Sequence, residues 1–300
     1  MPLLALKIDV DTLRGTREGI PRLLATLKKY SAGATFFFSL GPDHTGRAIK
    51  RVFRPGFLHK VSRTSVLEHY GWRTLLYGTV LPGPDIGKLE SALIRRVRDE
   101  GFDVGIHCWD HIKWQDNVTK MGEKWTRQQM HLASQRFYEI FNNYSQCHGA
   151  AGWQINDATL SFQQELGMSY ASDCRGVYPF RPVYMNGTKI GIPQIPTTLP
   201  TLDELIGIDN ISPGKVHDFL LEITEKNKHL HVFTMHAELE GMKFLETLER
   251  LLQGWIAQGY TLCSCLDIYK SLDISTLPCQ RIIFDTIPGR SGLLAIQETS

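Results

Sequence analysis

The sequence has no apolar run near the roughly 20 residues that a transmembrane helix requires, and it does not begin with a charged stretch followed by a long hydrophobic segment. Its six cysteines lack the spacing of a disulfide framework, and a chain of 300 residues does not need disulfides for stability. A net charge of +2 indicates no general affinity for nucleic acid. We therefore expect a cytoplasmic protein with reduced thiols and no nucleic-acid partner.

Hydrophobic residues make up 42% of the chain, which is enough to form one large α/β domain. Strand-like and helix-like segments alternate along most of it, and repeated βα units of this kind indicate parallel strands in a closed or nearly closed barrel. The predicted strands lie near residues 3–10, 34–40, 102–108, 148–153, 169–174, 192–198, 229–237 and 260–265. In such barrels the functional site lies at the carboxyl ends of the strands.

Two histidines with metal-ligand spacing follow one of these strands. His107 and His111 come after the strand-like run at 102–106, and a helical turn at that point would aim both imidazoles at one ion. The alternative is an ordinary pair at the surface, because eleven histidines will form some pairs by chance. Asp110 could orient one of these imidazoles or cap the next helix.

Two further strands also end in side chains that bind metals or transfer protons. Asp9 and Asp11 end the first strand, and residues two apart point to the same side of a strand. A helix cap is the alternative role for Asp11. His236 and Glu238 end a late strand. Three strand ends of this kind predict one shared site more strongly than any single motif does.

The order of these motifs resembles the polysaccharide deacetylase superfamily of metal-dependent carbohydrate amidases. Longer strings resemble its branch of deformylases that act on a sugar lipid; they lie at residues 7–19, 105–111, 150–153, 172–176, 179–182, 194–201 and 235–241. The resemblance covers roughly residues 1–272, which we predict to be the catalytic domain. Residues 273–300 are then a tail, expected to lie loosely on the surface or to be disordered.

The resemblance implies an α/β fold, a distorted (β/α)7 barrel, that binds one divalent metal ion, either Zn, Mn or Co. It also implies the reaction, which removes the formyl group from 4-deoxy-4-formamido-L-arabinose linked to undecaprenyl phosphate. The freed aminoarabinose would modify lipid A and confer resistance to polymyxin-type peptides. By the same resemblance, Asp11, His107 and His111 match the metal ligands, Asp9 matches the general base and His236 matches the general acid.

One motif departs from the superfamily pattern. Many members carry an arginine that steadies the base, whereas this chain has Ala-Ala-Gly-Trp at residues 150–153. We infer that Arg175 supplies the missing charge and holds Asp9 ionised or Asp173 in place; an ordinary surface arginine is the alternative. Trp153 and Glu238 are candidates for lining the sugar site, although Glu238 could also face solvent.

Residues 42–87 separate the second strand from its helix by far more than the usual connection, which indicates a functional insertion. Between residues 44 and 67 basic side chains alternate with large apolar ones and no acidic residue occurs. This pattern suits an anionic membrane surface, here the inner face of the bacterial inner membrane. The alternative is a solvated charged loop. The predicted membrane-facing residues are Lys50, Arg51, Arg54 and Phe57, and Arg14 and Arg17 are candidate contacts for the lipid phosphate.

Two other functions remain open at this point. A deacetylase of peptidoglycan or chitin-like glycan would share the motifs, but its usual setting is outside the cytoplasm, and the missing export signal counts against it. A catalytically inactive module that binds the sugar lipid would not need Asp9 or His236, which serve proton transfer rather than binding.

Overall fold

A parallel sheet curled into a half-barrel forms the centre of the chain in a computed structural model, which describes residues 1–48, 74–206, 211 and 214–299. The strands are β1 (Leu3–Val10), β2 (Thr35–Ser39), β3 (Asp103–Cys108), β4 (Cys147–His148), β5 (Tyr170–Ala171), β6 (Arg181–Pro182), β7 (His231–His236), β8 (Thr261–Cys263), β9 (Cys279–Gln280), β10 (Ile282–Asp285) and β11 (Leu294–Gln297). The central sheet has the order β5-β4-β3-β2-β1-β7, with β8 paired to the first residues of β1. Its strand pairs are parallel, as the βα alternation predicted.

The segment at 193–199 joins the two edges of this sheet. Ile195 N donates a hydrogen bond to Ala171 O of β5 at 2.7 Å, and Thr198 N donates to Val232 O of β7 at 3.1 Å. The segment lies where the sequence predicted a strand at 192–198. The sheet therefore approaches closure as a seven-membered barrel, and the prediction of a distorted (β/α)7 barrel is confirmed.

Helices surround the outside of this barrel. They are α1 (Ile20–Lys29), α2 (Ile86–Leu89), α3 (Ser91–Asp99), α4 (His111–Asn117), α5 (Glu123–Phe141), α6 (Asp157–Glu165), α7 (Leu202–Leu205), α8 (Val216–Lys226), α9 (Leu245–Ala257) and α10 (Cys265–Ser271). Two π-helical turns, Gly15–Gly19 and Leu239–Lys243, follow β1 and β7. In the described part of the chain, no helix has both the length and the apolar composition needed to cross a membrane.

The alternation of β1 places polar side chains inside the barrel mouth. Leu4, Leu6 and Ile8 belong to the apolar layer between the sheet and the helices. Ala5 points the other way, into a second apolar cluster that fills the barrel: Phe37, Cys147, Tyr170, Ile195 and Val232. Lys7, Asp9 and Asp11 follow Ala5 at intervals of two, so these charged residues lie above the cluster, toward the carboxyl ends of the strands.

The tail is folded against the barrel. Strands β10 and β11 form an antiparallel hairpin, and Leu294 and Ala295 in β11 are buried. Ala295 O accepts a hydrogen bond from Arg175 N at 2.9 Å, and Gln297 N donates to Arg175 O at 2.7 Å. The expectation of a loose or disordered tail is therefore wrong, because β11 buries apolar side chains and pairs with backbone of the barrel. A catalytic domain that ends at residue 272 stays a prediction.

Candidate active site

Asp11, His107 and His111 come together at the carboxyl ends of β1 and β3. Each offers one ligand atom, and these atoms lie within 4.8 Å of one another. His107 Nε2 is 3.2 Å from Asp11 Oδ1, and His111 Nε2 is 3.4 Å from Asp11 Oδ2. Asp11 Oδ1 is buried without a hydrogen-bond partner among the described residues. This carboxylate, with one oxygen beside each imidazole nitrogen, fits a divalent cation well because one carboxylate and two imidazoles form a common donor set.

The charge state of Asp11 also suits a role as a metal ligand. Burial by itself would raise the pKa of this carboxyl group, but the neighbouring imidazoles of His111 and His107 hold the pKa well below its usual value. Asp11 is therefore a carboxylate at neutral pH, and its negative charge is available to a cation.

A register shift between β2 and β3 aims His107. Phe38 pairs with Ile106, but the next residue, Ser39, pairs with Cys108, so His107 is an extra residue in β3. Such bulges bend a strand and re-aim side chains, and they are frequent beside active sites. Cys108 is buried among apolar residues that include Trp114 and Val118, so the packing role predicted for it is confirmed.

Helix α4 presents the second imidazole because it begins at His111, directly after β3. Asp110 is its N-cap, and Asp110 Oδ1 accepts a hydrogen bond from Lys113 N at 3.0 Å. Asp110 Oδ2 pairs with His44 Nδ1 at 2.6 Å. Of the two roles considered for Asp110, the structure shows the cap, and the imidazole that it orients is His44.

The backbone of β4 sets the tautomer of His107. His107 Nδ1 donates a hydrogen bond to Gly149 O at 2.5 Å. The proton therefore resides on Nδ1, and Nε2 keeps its lone pair on the side of Asp11. An acceptor of this kind fixes a ligand imidazole in both rotation and protonation.

Asp173 supports that same backbone and does not contact the base. Its Oδ1 accepts hydrogen bonds from His148 Nδ1 at 2.7 Å and from Ala150 N at 2.8 Å, and its Oδ2 accepts from Gln163 Nε2 at 2.6 Å. Burial would raise the pKa of Asp173, but His148 and these hydrogen bonds hold it below its usual value. Asp173 thus fixes the segment whose Gly149 O orients the ligand histidine.

The charge beside Asp9 comes from a residue that sequence reasoning missed. Lys7 Nζ lies 2.7 Å from both carboxylate oxygens of Asp9. Lys7 is fully buried, and its ammonium is 5.3 Å from the centre of the Phe37 ring and 5.5 Å from that of Trp153. The alternation of β1 was the available signal, because Lys7 and Asp9 are two residues apart on one face of a buried strand.

Arg175 does not take the role predicted for it. Its Nη1 donates to Glu204 Oε1 at 2.6 Å, and its Nη2 donates to Leu199 O at 2.9 Å. The backbone explains the difference, since Arg175 bridges to Thr197 and Ile296, which directs its side chain toward α7 and away from β1. Lys7 therefore replaces Arg175 as the partner of Asp9.

His236 ends β7 directly beside Asp9. The two residues are partners in the parallel register, so their side chains lie on the same face of the sheet. His236 N donates to Glu240 Oε2 at 2.8 Å, which fixes the backbone at the strand end. His236 Nδ1 is buried and has no hydrogen-bond partner among the described residues. An imidazole thus lies next to the carboxylate of Asp9.

Glu238 anchors the loop that carries Asp11, which differs from its predicted place in the sugar site. Its Oε1 accepts hydrogen bonds from Thr12 N at 2.8 Å and from Asp11 N at 3.1 Å. Burial, and to a smaller extent repulsion from the Asp11 carboxylate, raises the pKa of Glu238 to about 8. A Cβ on Gly15 would lie 2.0 Å from that oxygen, so this position needs glycine. Thr12 Oγ1 accepts from Gly15 N at 2.9 Å, which assigns the cap after β1 to Thr12 rather than to Asp11.

The two arginines after β1 lie at the surface. Arg14 Nε donates to Glu18 Oε1 at 3.2 Å, and Arg17 Nε donates to Glu90 Oε1 at 2.5 Å. The Arg17 side chain is 54% exposed, so its head group can exchange Glu90 for another anion. Contact of Arg14 and Arg17 with a lipid phosphate stays a prediction. Lys50, Arg51, Arg54 and Phe57 lie outside the described residues.

Trp153 is buried and does not line an open sugar site, in contrast to the expectation from sequence. Its Nε1 donates to Thr197 Oγ1 at 3.2 Å. Three cations surround its ring, with Lys7 Nζ at 5.5 Å and the guanidinium carbons of Arg175 and Arg290 at 5.0 Å and 4.6 Å from ring centres. Trp153 therefore packs behind the Lys7–Asp9 pair.

Comparisons with known proteins agree with this geometry. Residues 4–171 match the family model described as polysaccharide deacetylase. A protein of Shewanella sediminis (strain HAW-EB3), named a probable 4-deoxy-4-formamido-L-arabinose-phosphoundecaprenol deformylase ArnD, is 38% identical over 297 residues, which cover 97% of this chain and 93% of that protein. A protein of Wigglesworthia glossinidia brevipalpis with the same name is 35% identical over 285 residues, covering 95% and 98%.

Solved structures share the fold at low sequence identity. A Mycobacterium smegmatis protein whose name assigns it to the polysaccharide deacetylases superposes with a TM-score of 0.62 at 14% identity, over 95% of this chain and 96% of that one. A Bacillus anthracis protein named a CE4 family pseudoenzyme superposes with a TM-score of 0.51 at 16% identity, over 90% and 66%. Because that second protein is named a pseudoenzyme, catalysis has to be argued from the residues of the site.

Proposed function

This chain belongs to the polysaccharide deacetylase family and is a hydrolase of amide bonds, and on that premise we propose that it removes the N-formyl group from 4-deoxy-4-formamido-L-arabinose linked to undecaprenyl phosphate. Two relatives named for this reaction match nearly the full chain. The observation that carries the proposal is the placement of Asp9, paired with Lys7, beside the candidate ligand set and beside His236. Together these side chains supply what amide hydrolysis requires.

Asp11, His107 and His111 would hold one divalent cation, either Zn, Mn or Co. The orphaned Asp11 Oδ1 and the fixed tautomer of His107 support this assignment. When bound, such a cation is a Lewis acid that polarises the formyl carbonyl and makes water a stronger acid. Three protein ligands leave room in the coordination sphere for other ligands. The mixed nitrogen and oxygen donors suit several metals, so the native metal is a matter for measurement.

Asp9 would act as the general base. Its Oδ1 lies 3.8 Å from His107 Nδ1, so the carboxylate adjoins the ligand set without belonging to it. Asp9 takes the proton from the attacking water. Before that step, the ammonium of Lys7 balances the negative charge of the buried carboxylate. A buried carboxylate without such a partner would favour its neutral form, which cannot accept the proton.

His236 would act as the general acid. It reaches the same mouth from β7, and its imidazole gives a proton to the amine nitrogen as the carbon–nitrogen bond breaks. A carboxylate suits the role of base and an imidazole suits the role of acid because the two groups ordinarily hold protons over different pH ranges. A binding module without catalysis would need neither group, which supports a hydrolase over that alternative.

The proposed substrate implies a place at the membrane. A polyprenyl phosphate stays in the bilayer with its sugar exposed, so the enzyme must reach the surface. We assign this contact to the insertion at 42–87 and place the protein on the cytoplasmic face of the inner membrane, with Arg14 and Arg17 toward the lipid phosphate. The product amine would then serve the aminoarabinose modification of lipid A and polymyxin resistance.

Assays of the released acid test the proposal. Purified protein loaded with Zn, Mn or Co is given the undecaprenyl-linked formamido sugar, and in parallel N-acetylated peptidoglycan and chitin fragments. We expect release of formate from the first substrate at a rate well above release of acetate from the others. Acetate release with no formate would instead assign the protein to the glycan deacetylases.

A further inference from the structure

Trp153 contacts both Lys7, the partner of Asp9, and a residue of the C-terminal hairpin. The guanidinium carbon of Arg290 is 4.6 Å from the centre of a Trp153 ring, and Lys7 Nζ is 5.5 Å from it. Trp153 is 1% exposed, so these contacts are made inside the protein. Cation–π contacts are stronger where they are shielded from water. A residue from the segment predicted to be a loose tail therefore reaches the packing behind Asp9.

Buried charges hold Arg290 in that position. Its Nε donates to Glu204 Oε1 at 2.9 Å, and the same oxygen accepts from Arg175 Nη1 at 2.6 Å. Glu204 is 1% exposed. Burial would raise the pKa of Glu204, but Arg175 and Arg290 hold it below its usual value, so the carboxylate is charged. The two guanidinium groups thus share one buried anion, and both lie near the Trp153 ring.

The backbone of Trp153 shows that its surroundings determine its position. Its φ is 53°, in the left-handed region that a bulky residue rarely adopts, and it follows Gly152 at φ 63°. Such conformations are strained and persist only where the surrounding structure imposes them. The contacts made by the indole include the hydrogen bond from Trp153 Nε1 to Thr197 Oγ1 and the guanidinium of Arg290.

We propose that Arg290 is a positioning residue for the proposed reaction. By packing on Trp153 it fixes the indole against which Lys7 lies, and it thereby keeps the Lys7 ammonium on both oxygens of Asp9. Lys7 has a flexible four-carbon side chain, so the residues packed around it determine the position of its ammonium group. This inference depends on the assignment of Asp9 as the base, and it gives one residue of the C-terminal hairpin, Arg290, a role in positioning that base.

The test of this inference compares Arg290→Ala with Arg281→Ala, a matched control variant in the same hairpin region. Arg281 pairs with Glu298 and is the control for general loss of an arginine in the tail. We expect Arg290→Ala to lower kcat by roughly 10-fold to 100-fold with little change in KM, because misplacement of a catalytic group affects the chemical step more than binding. Arg290→Lys, which keeps a cation on the ring, should recover part of the loss. Arg281→Ala should keep the parental kcat.

A second readout does not depend on turnover. The indole N–H resonance of Trp153, assigned by its absence in Trp153→Phe, should shift in Arg290→Ala and stay in place in Arg281→Ala. If Arg290→Ala does not fold, Arg290→Met is used in its place in both measurements, because methionine keeps the aliphatic part of the side chain and lacks the charge. Kinetics are measured on whichever N-acylated sugar the parent hydrolyses, so failure of the formamido sugar would refute the proposed substrate alone. Equal kcat and an unmoved indole resonance in Arg290→Ala and Arg281→Ala would overturn the role of Arg290.

Discussion

The ammonium of Lys7 lies 2.7 Å from both carboxylate oxygens of Asp9, and the two side chains are 0% and 4% exposed. A buried ion pair of this kind is sensitive to the loss of either partner, because the remaining charge is left uncompensated at a cost of roughly 3–5 kcal/mol. The position and charge balance of the Asp9 carboxylate thus depend on a residue two positions earlier in the same strand.

Lys7→Met should lower kcat by roughly 10²-fold while the protein still binds its metal, since the ammonium that contacts both carboxylate oxygens of Asp9 and holds the proposed base in place is lost. Lys7→Arg should retain more activity, because the positive charge remains. Steady-state kinetics together with metal content measure both effects. The control is Lys29→Met, which removes an exposed ion pair with Glu249 on the outside of the barrel. A Lys7→Met variant with parental kcat would show that Asp9 does not need this partner.

Removal of metal should abolish activity, and Zn, Mn or Co should restore it. Asp11→Asn, His107→Ala and His111→Ala should each reduce the metal content measured by elemental analysis, whereas His229→Ala, at an exposed histidine, should not. Bound metal should also raise the thermal midpoint, since a ligand at about 100 times its Kd stabilises the folded state by about 2.7 kcal/mol. Parental metal content in all three ligand variants would place the metal elsewhere.

Glu240 should make the stability of the metal-free protein depend on pH. Burial raises the pKa of Glu240 from 4.5 to about 8, so the folded state holds a proton that the unfolded chain releases. The stabilisation from this proton is complete below about pH 4.5 and is lost as the pH rises to about 8.

Glu240→Gln imitates the protonated form and should therefore lose less unfolding free energy than the parent as the pH rises from about 4.5 to about 8. Urea denaturation in the presence of a chelator measures this difference. Glu246→Gln, on a glutamate that is 78% exposed, should follow the parent. Identical pH dependence in Glu240→Gln and the parent would show that Glu240 is charged in the folded protein.

Liposome flotation tests the proposed membrane contact of the insertion. Binding should require anionic lipid and fall as salt rises, because each basic residue contributes on the order of 1 kcal/mol near an anionic surface. Changing Lys50, Arg51 and Arg54 to Glu should weaken flotation. The same change at the exposed residues Lys215, Lys226 and Lys228 alters the net charge equally and should have a smaller effect. If both triple variants float as well as the parent, the insertion is not the anchor.

The strand ends of the site were predictable because they follow from periodicity. Residues at the carboxyl ends of parallel strands share one edge of a barrel, so Asp11, His107 and His111 could be expected together from their order alone. The aim of His107 could not be predicted in detail, since it depends on a register shift between two strands that are far apart in sequence.

Partners inside the barrel were harder to predict. Lysine is rarely buried, so Lys7 gave no signal until the alternation of β1 was combined with the position of Asp9. Arg175 was assigned by its closeness to Asp173 along the chain, but its guanidinium pairs with Glu204 of α7. Glu238 could not be separated from a solvent-facing residue by sequence, because its burial depends on the close approach of Gly15.

The central claim is that Asp9 and His236 hydrolyse a formamide beside a metal held by Asp11, His107 and His111. Mass spectrometry of the undecaprenyl-linked formamido sugar, incubated with metal-loaded protein, tests it most directly. The account predicts a product lighter by the mass of one carbon monoxide, formed roughly 10²–10⁴ times more slowly by Asp9→Asn and His236→Ala although both bind metal. Asp99→Asn, at an exposed aspartate, should match the parent. An unchanged sugar mass with the parent protein, or parental rates in both variants, would contradict the account.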